Sequence, residues 1–311
     1  MARSEAYDWT PTRDDVIKAA LRICGVLDPQ ETPSAEDVST AAQALDMMLK
    51  SWNNTIVGLQ LWTLREATVF CQTDKYQYTL GTSDAPSAWS YTTVAAQSTT
   101  NPGNTIVIPA GVGTAGDYIG IQQGRDSNWT TINTLSSSGT VHLTTSISST
   151  ATVSQNVWVF TNLMERPVDI VHARINVQSN NYDIELRQMG RDEYYDRHDK
   201  ERAGEPRRYY FDKQLDNPVF VTDWTPDNAG DLIKIVYRRP YMNNSAGTDE
   251  IDAPHEVHRA IKWGLANEIG LEYGVPPGTM SEIQKRAAEA LLQVRAIYGD
   301  RPRTSLPSTL V

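Results

Sequence analysis

Apolar positions between residues 12 and 55 recur at the three-four spacing of amphipathic helices. Thr12 and Ser34 each precede such a run. An acid follows each by three positions, at Asp15 and Asp37, which is the spacing of a helix-capping box. Gly25 lies where the first helix should end. The two apolar stripes are Val16, Ala19, Ala20 and Ile23, then Val38, Ala41, Ala42, Leu45, Met48, Leu49 and Trp52.

After residue 61 the period shifts toward two, which is typical of strands. Ala67–Phe70 and Tyr76–Leu80 are strand candidates, and Gly81 ends the second. The alternation returns after residue 162, with a short, highly charged helix predicted at Arg191–Arg202. The strands predicted there are Ile170–Val177, Tyr182–Leu186, Tyr209–Phe211, Val219–Trp224 and Leu232–Tyr237.

Residues 85–161 differ in composition from the rest of the chain. Their only formal charges are Asp117, Arg125 and Asp126, and Ser, Thr, Asn and Gly dominate. Short apolar runs between turn signals predict a small all-β module inserted into a host domain. The predicted strands are Thr105–Ile108, Tyr118–Gln122, Trp129–Thr134, Thr140–Thr144 and Asn156–Phe160. The tryptophans expected to fill the module's small core are Trp89, Trp129 and Trp158.

Two more helices are predicted near the C-terminus. Asp252 can cap the first, with Pro254 in its first turn, where proline is tolerated. Residues 276–278, Pro-Pro-Gly, interrupt the helical period, and we expect the last helix to begin at Ser281. The two apolar stripes are Val257, Ile261, Leu265 and Ile269, then Ile283, Ala287, Ala290, Leu291 and Val294.

Neither terminal pair of helices can bury its apolar stripe alone, so we expect the four helices to pack together. The predicted fold class is α+β, with a helical body built from the N- and C-terminal helices, a central β region and an inserted all-β module. In this division residues 1–84 and 162–299 form a discontinuous body, and residues 85–161 form the module. Residues 300–311, which lack a helical period, are expected to form an extended C-terminal arm.

The net charge of the chain is −10. This charge argues against a sequence-reading nucleic-acid binder, which normally presents a basic face. It is compatible with a surface that DNA slides past without sticking. The two cysteines, Cys24 and Cys71, predict neither a zinc site nor a disulfide scaffold. The sequence contains no run of about 18 apolar residues, so we expect no membrane span.

Two short motifs resemble known sites only superficially. Residues 255–258, His-Glu-Val-His, place the second histidine one position too early for a zinc-protease helix. Residues 111–116 match GxGxxG, but a strand candidate follows where a dinucleotide site needs a helix. We therefore expect no metal, no cofactor and no catalytic residues.

Two basic-aromatic segments are candidate interface patches. Arg207 and Arg208 precede two tyrosines, and Arg238 and Arg239 precede Pro240 and a tyrosine. These arginines could contact phosphates or the acidic surface of a partner. Equally, they could be strand-end residues that neutralise nearby acids, and the sequence leaves both interpretations open.

Three blocks, taken in order, resemble the head-to-tail adaptors of short-tailed phages, also described as tail accessory factors or packaged-DNA stabilisation proteins. The first block covers residues 15–26, 33–37 and 44–52. The second comprises residues 78–81 and 165–170 and continues through 194–195, 204–206 and 209–210. The third comprises residues 251–254 with the following helix, and then 268–274. The resemblance covers nearly the whole chain except residues 85–161.

The resemblance implies a structural virion protein, made in the host cytoplasm, that is not an enzyme. Such adaptors form rings, usually of twelve copies, beneath the portal. They extend the DNA channel and dock the tail nozzle and the fibres or spikes, while packaged DNA passes without sequence-specific binding. The last helix and the arm are expected to contact the portal. The residues expected at that contact are Ile297, Tyr298, Arg301, Arg303, Leu306 and Leu310.

Two other classes of function stay open at this stage. One is a cell-wall-degrading virion enzyme that uses carboxylates such as Glu193 and Asp196, although their charged, apparently exposed segment argues against a catalytic pair. The other is a fibre-type protein that binds a receptor or carbohydrate through the β module. A fibre would be trimeric and elongated, so particle shape separates it from a ring. Within the adaptor interpretation, the module is expected to point outward.

Overall fold

The computed structural model describes residues 10–55, 61–81, 85–96, 103–148, 151–177, 181–199 and 202–298. The fold class is α+β, as predicted. The chain divides into two compact units. One unit consists of Met1–Thr63 and Pro240–Val311, and the other of Leu64–Arg239. The sequence had predicted one body that contains both the helices and the central strands. In the structure, the central strands build a hydrophobic core of their own, distinct from the core of the helices.

Five α-helices are present in the described part of the chain, and a short 3₁₀ turn, His255–Val257, leads into the fourth. The helices are α1 (Arg13–Ile23), α2 (Ala35–Thr55), α3 (Arg191–Tyr195), α4 (His258–Ile269) and α5 (Pro277–Tyr298).

The predicted caps of α1 and α2 are confirmed. The Thr12 hydroxyl accepts a hydrogen bond from the Asp15 backbone N–H at 3.3 Å, and the Asp15 carboxylate accepts one from the Thr12 N–H at 3.2 Å. Ser34 Oγ accepts from the Asp37 N–H at 3.1 Å. Gly25 takes a φ of +73°, the left-handed conformation that commonly ends a helix. Local sequence therefore fixes where both N-terminal helices begin and where the first one ends.

The stripes of α1, α2, α4 and α5 bury one another in a single hydrophobic core, as predicted. A Cβ on Gly264 of α4 would lie 2.7 Å from the Trp52 ring of α2, so the glycine lets these helices approach closely. The Cys24 thiol, just after α1, donates to the Ala266 carbonyl at 3.4 Å, across 242 residues of sequence. Fully buried members of this core include Ile17, Leu21, Leu45, Ile261, Leu265 and Ile269.

Three predicted helix boundaries were wrong. Helix α5 begins at Pro277 and not at Ser281, because proline is well accommodated in a first helical turn. Asp252 does not cap α4. Its carboxylate accepts from the Met242 N–H at 3.2 Å, and Pro254 precedes the 3₁₀ turn. Helix α3 ends at Tyr195 and does not reach Arg202, since the chain at Arg202 and Gly204 forms strand-like hydrogen bonds with Thr225.

Two four-stranded sheets form the central β region of the second unit. Their buried faces share one core, in which Tyr78, Phe220, Ile233 and Tyr237 are fully buried. In order across the first sheet, the strands are β1 (Leu64–Phe70), β14 (Leu232–Arg238), β9 (Asp169–Val177) and β10 (Tyr182–Glu185). In order across the second, they are β11 (Arg187–Gln188), β12 (Arg208–Asp212), β13 (Val219–Thr222) and β2 (Gln77–Thr79).

Residues 90–160 form a separate six-stranded sheet. The chain enters and leaves it at one place, where Pro86 bridges Leu163 and the Met164 N–H donates to the Ala85 carbonyl at 3.0 Å. All five predicted strands are present, and one strand was not predicted, β3 (Ser90–Thr93). In order across the sheet, the strands are β3, β8 (Asn156–Phe160), β5 (Tyr118–Gln123), β6 (Asp126–Leu135), β7 (Thr140–Leu143) and β4 (Thr105–Val107).

The tryptophans of this sheet do not fill its inner core, contrary to the prediction. That core is aliphatic, with Ile106, Ile119, Val141 and Val157 fully buried. Because neighbouring residues of a strand point to opposite faces, Trp158 and Phe160 lie on the other face. There they cluster with Trp89, Trp129, Phe70 of β1 and Leu232 of β14.

Phe70 lies at the centre of this aromatic cluster. Its ring centroid is 4.8 Å from that of Trp129, 5.4 Å from that of Trp158 and 5.9 Å from that of Phe160. The indole N–H of Trp89 donates to the Thr68 hydroxyl of β1 at 3.1 Å. The aromatic face of the six-stranded sheet, which we call its outer face because it lies opposite the aliphatic core, is therefore joined to β1 by aromatic packing.

We predict that Phe70→Ala lowers the free energy of unfolding by about 3–5 kcal/mol, because it removes a large buried side chain and leaves a cavity. Denaturant titration followed by tryptophan fluorescence measures this loss, since three tryptophans line the cluster. The control is Tyr91→Ala, at a side chain 57% exposed on the edge strand β3, with an expected loss of about 1 kcal/mol. Equal losses in the two variants would contradict the assigned role of Phe70.

Candidate interaction sites

The C-terminal end of α5 is held in place by aromatic and polar contacts within the helical unit. The Tyr298 ring packs edge-on against Trp62, with centroids 5.4 Å apart, and its hydroxyl donates to Glu256 Oε2 at 3.1 Å. Burial, and then the bond to Glu256, raise the pKa of Tyr298. The last helix therefore reaches its end in a fixed position.

Two large apolar side chains near that end face solvent. Leu292 is 61% exposed and Ile297 is 60% exposed, in the last two turns of α5. Of the residues expected to contact the portal, Ile297 is thus exposed and Tyr298 is half-buried. The other four, Arg301, Arg303, Leu306 and Leu310, lie outside the described residues.

The arginines of the first basic patch pair with acids. Arg207 Nη2 lies 3.0 Å from Glu205 Oε1, and the Arg207 backbone N–H donates to Asp223 Oδ1 at 2.9 Å. Arg208 forms an ion pair with Glu193 of α3. Both side chains are more than half exposed, so solvent screens these pairs. The positive charge of this patch is largely compensated locally.

The second basic patch lies at the end of β14, in a different sheet from Arg208. Arg238 Nη1 is 3.9 Å from Asp169 Oδ2, while Lys213 Nζ is 2.9 Å from Asp169 Oδ1. Arg239 is buried. The structure therefore places the two patches at strands of two different sheets, with acidic groups beside Arg207, Arg208 and Arg238.

Residues 255–258 do not form a metal site. His258 is buried, and its Nε2–H donates to the Ala253 carbonyl at 3.1 Å. Glu256 accepts from Tyr298, and the two imidazole rings are 6.0 Å apart at an angle of 84°. Among the described residues, no group of three or more His, Cys, Asp and Glu side chains could hold a metal ion.

The glycine-rich loop at residues 111–116 is a structural turn. Gly111, Gly113 and Gly116 take φ values of +85°, +84° and +96°, and strand β5 follows the loop. Asp117 is buried beneath the loop. Its carboxylate accepts from the Thr114 N–H and from the Thr161 hydroxyl, each at 2.7 Å. The carboxylate therefore stabilises the turn by hydrogen bonds to the loop and to Thr161.

The carboxylates considered for catalysis lie in and just after the five-residue helix α3. Glu193, within the helix, pairs with Arg208, and Asp196 is the C-cap residue that follows Tyr195. Both side chains are exposed.

One cleft was not predicted from the sequence. It has a volume of about 360 Å³ and lies beside the outer face of the six-stranded sheet. Tyr118 and Gly120 are two residues apart in one strand, as are Trp129 and Thr131 in the next, and this spacing indicates that the members of each pair share a face of the sheet. The sequence did not predict that β6 pairs with β7, which places Thr144 and Thr145 beside the cleft. The residues that line the cleft are Gln72, Lys75, Tyr118, Trp129, Thr130, Thr131, Thr144 and Thr145.

No protein-family model and no curated protein matches this chain. In the part of the chain that the structure describes, none of the helices has the length and apolar character needed to cross a membrane.

We predict that His258 makes stability depend on pH. Burial lowers its pKa below the usual value of 6.5, so the folded chain keeps the imidazole neutral. The unfolded chain takes up a proton as the pH falls through about 6.5, so the free energy of unfolding decreases there, down to the lowered pKa.

Denaturant titrations at pH 7.5 and 5.5 measure this effect. His258→Gln, which keeps an N–H donor, should lose less stability between the two pH values than the wild type. Equal losses in the two proteins would show that His258 does not contribute.

Proposed function

We propose that this chain is a structural head-to-tail adaptor of a short-tailed phage. In this role it forms a ring under the portal, extends the DNA channel and docks the tail nozzle and fibres or spikes. The observation that carries the proposal is that the first and third blocks of resemblance, distant in sequence, build one helical core.

Specific contacts join these two blocks. The Tyr273 hydroxyl donates to Asp37 Oδ1 at 3.0 Å, and burial, with this bond, raises the pKa of Tyr273 to about 12. The Cys24 thiol reaches the backbone of α4 at Ala266. The resemblance therefore corresponds to residues that pack on one another, as expected if the blocks belong to one functional body.

The end of α5 carries exposed apolar side chains that a portal could bury. Tyr298 is held by Trp62 and Glu256, while Leu292 and Ile297 remain exposed. Exposed apolar side chains on a fixed element can be buried by a partner at little conformational cost. A C-terminal arm that orders only on binding would add contact area without favouring premature assembly.

The ring itself requires two different side faces that complement each other, so that the rotation from one copy to the next closes. An acidic chain with a net charge of −10 suits the wall of a channel through which DNA passes, because like charge prevents sticking. The expected partners are therefore the portal ring, other copies of this chain, the nozzle and the fibre or spike.

We predict that Leu292→Arg combined with Ile297→Arg weakens portal binding at least tenfold. Burying each aliphatic side chain contributes about 1.5–3 kcal/mol, and a tenfold change corresponds to about 1.4 kcal/mol. Co-sedimentation with portal rings of the same phage measures the binding.

The matched control is Met47→Arg, at a residue 70% exposed on α2 in the same helical unit. It should bind like the wild type. Binding by the double variant at wild-type strength would contradict docking through α5, and failure of the wild type to bind would contradict the adaptor function.

A further inference from the structure

The cleft beside the six-stranded sheet has an aromatic floor held in a fixed position. The Trp129 ring lies across Gly120, where a Cβ would come within 2.4 Å of Cη2 of the ring. It stacks on Trp158, with centroids 6.2 Å apart and planes 14° apart. Its indole N–H donates to Ser127 Oγ at 3.1 Å. The ring thus has its polar edge satisfied and its orientation set before any ligand arrives.

A second ring extends this floor. Tyr118 lies on the neighbouring strand β5 and stacks on Phe160, with centroids 5.2 Å apart and planes 20° apart. Trp129 and Tyr118 are half-buried, so part of each remains open to the cleft. The negative faces of such rings attract C–H groups that carry partial positive charge.

A pair of threonine hydroxyls forms one rim. Thr131 lies on the same face of β6 as Trp129, and Thr131 and Thr144 Oγ1 are 2.8 Å apart. Within the pair one hydroxyl donates to the other, which leaves one O–H able to donate outward and lone pairs able to accept. This rim therefore suits a ligand whose groups both donate and accept hydrogen bonds.

The opposite wall is the turn that follows β1. Gln72 supplies an amide, with donors and an acceptor, and Lys75 supplies an ammonium group near the Tyr78 ring, 5.5 Å from its centroid. Thr73 donates to Asp126 at the start of β6, which ties this turn to the six-stranded sheet. The turn that carries Gln72 and Lys75 is thus anchored to β6, the strand that carries Trp129 and Thr131.

We propose that this cleft binds a saccharide. A sugar ring presents C–H groups on its face and hydroxyls around its rim, which matches an aromatic floor between walls of hydroxyl, amide and ammonium groups. A volume of about 360 Å³ falls within the range of clefts that hold small ligands. This inference does not rest on the adaptor function, since the cleft lies within the second unit and ring assembly is measured separately.

The test uses the full chain and an array of neutral hexose, N-acetylhexosamine and uronic acid oligosaccharides. The strongest binder is then titrated by calorimetry. The variant Thr131→Val with Thr144→Val keeps the side-chain shape but removes one hydroxyl pair. It should bind at least about tenfold more weakly, because two or more hydrogen bonds are lost.

The control is Thr105→Val, on β4 and outside the cleft, where the hydroxyl contacts His142 Nδ1 at 3.2 Å. It should bind like the wild type. If the double variant unfolds at a lower temperature than this control, Gln72→Ala on the opposite wall replaces it, with the same expected loss. Absence of binding to every oligosaccharide, or equal binding by the cleft variants and the control, would overturn the proposal.

Discussion

Mutual burial of the apolar stripes at the two ends of the chain is the constraint on which the helical unit depends. Helices α1 and α2 present stripes that their own short hairpin cannot cover, and α4 covers them. The Gly264–Trp52 approach and the Tyr273–Asp37 hydrogen bond then fix how the helices meet. These contacts join residues that are distant in sequence, and the central strands between them build a core of their own.

The six-stranded sheet has two apolar faces, and each must be buried by different residues. Its aliphatic face forms the inner core, and its aromatic face packs on Phe70 and Leu232 of the neighbouring sheet. The aromatic face extends past this contact, where Trp129 and Tyr118 line the cleft. The packing that attaches the module thus also holds the rings that we propose to contact a saccharide.

Several features set by neighbouring residues were predictable from the sequence, although the starts of α4 and α5 were not. The Thr12–Asp15 and Ser34–Asp37 caps and the strand periods depend on spacing alone, and they were correct. Features set by distant partners were not predictable. The chain at Arg202 and Gly204 is not helical, because it pairs with Thr225. Alternation along the strands of the module also could not show which of its two apolar faces forms the inner core. The sequence identified the two arginine patches but could not show which acids neutralise them. The acids beside the first patch come from α3 and from the loop before β12, and the acid beside the second comes from β9.

We propose that this chain assembles as a ring on a portal, and electron microscopy can observe such a ring. The purified chain is imaged alone and after mixing with the cognate portal ring. We expect rings that appear only in the mixture, stacked on one face of the portal. Elongated trimers that ignore the portal would contradict this proposal and favour a fibre, and monomers that never join the portal would contradict it outright.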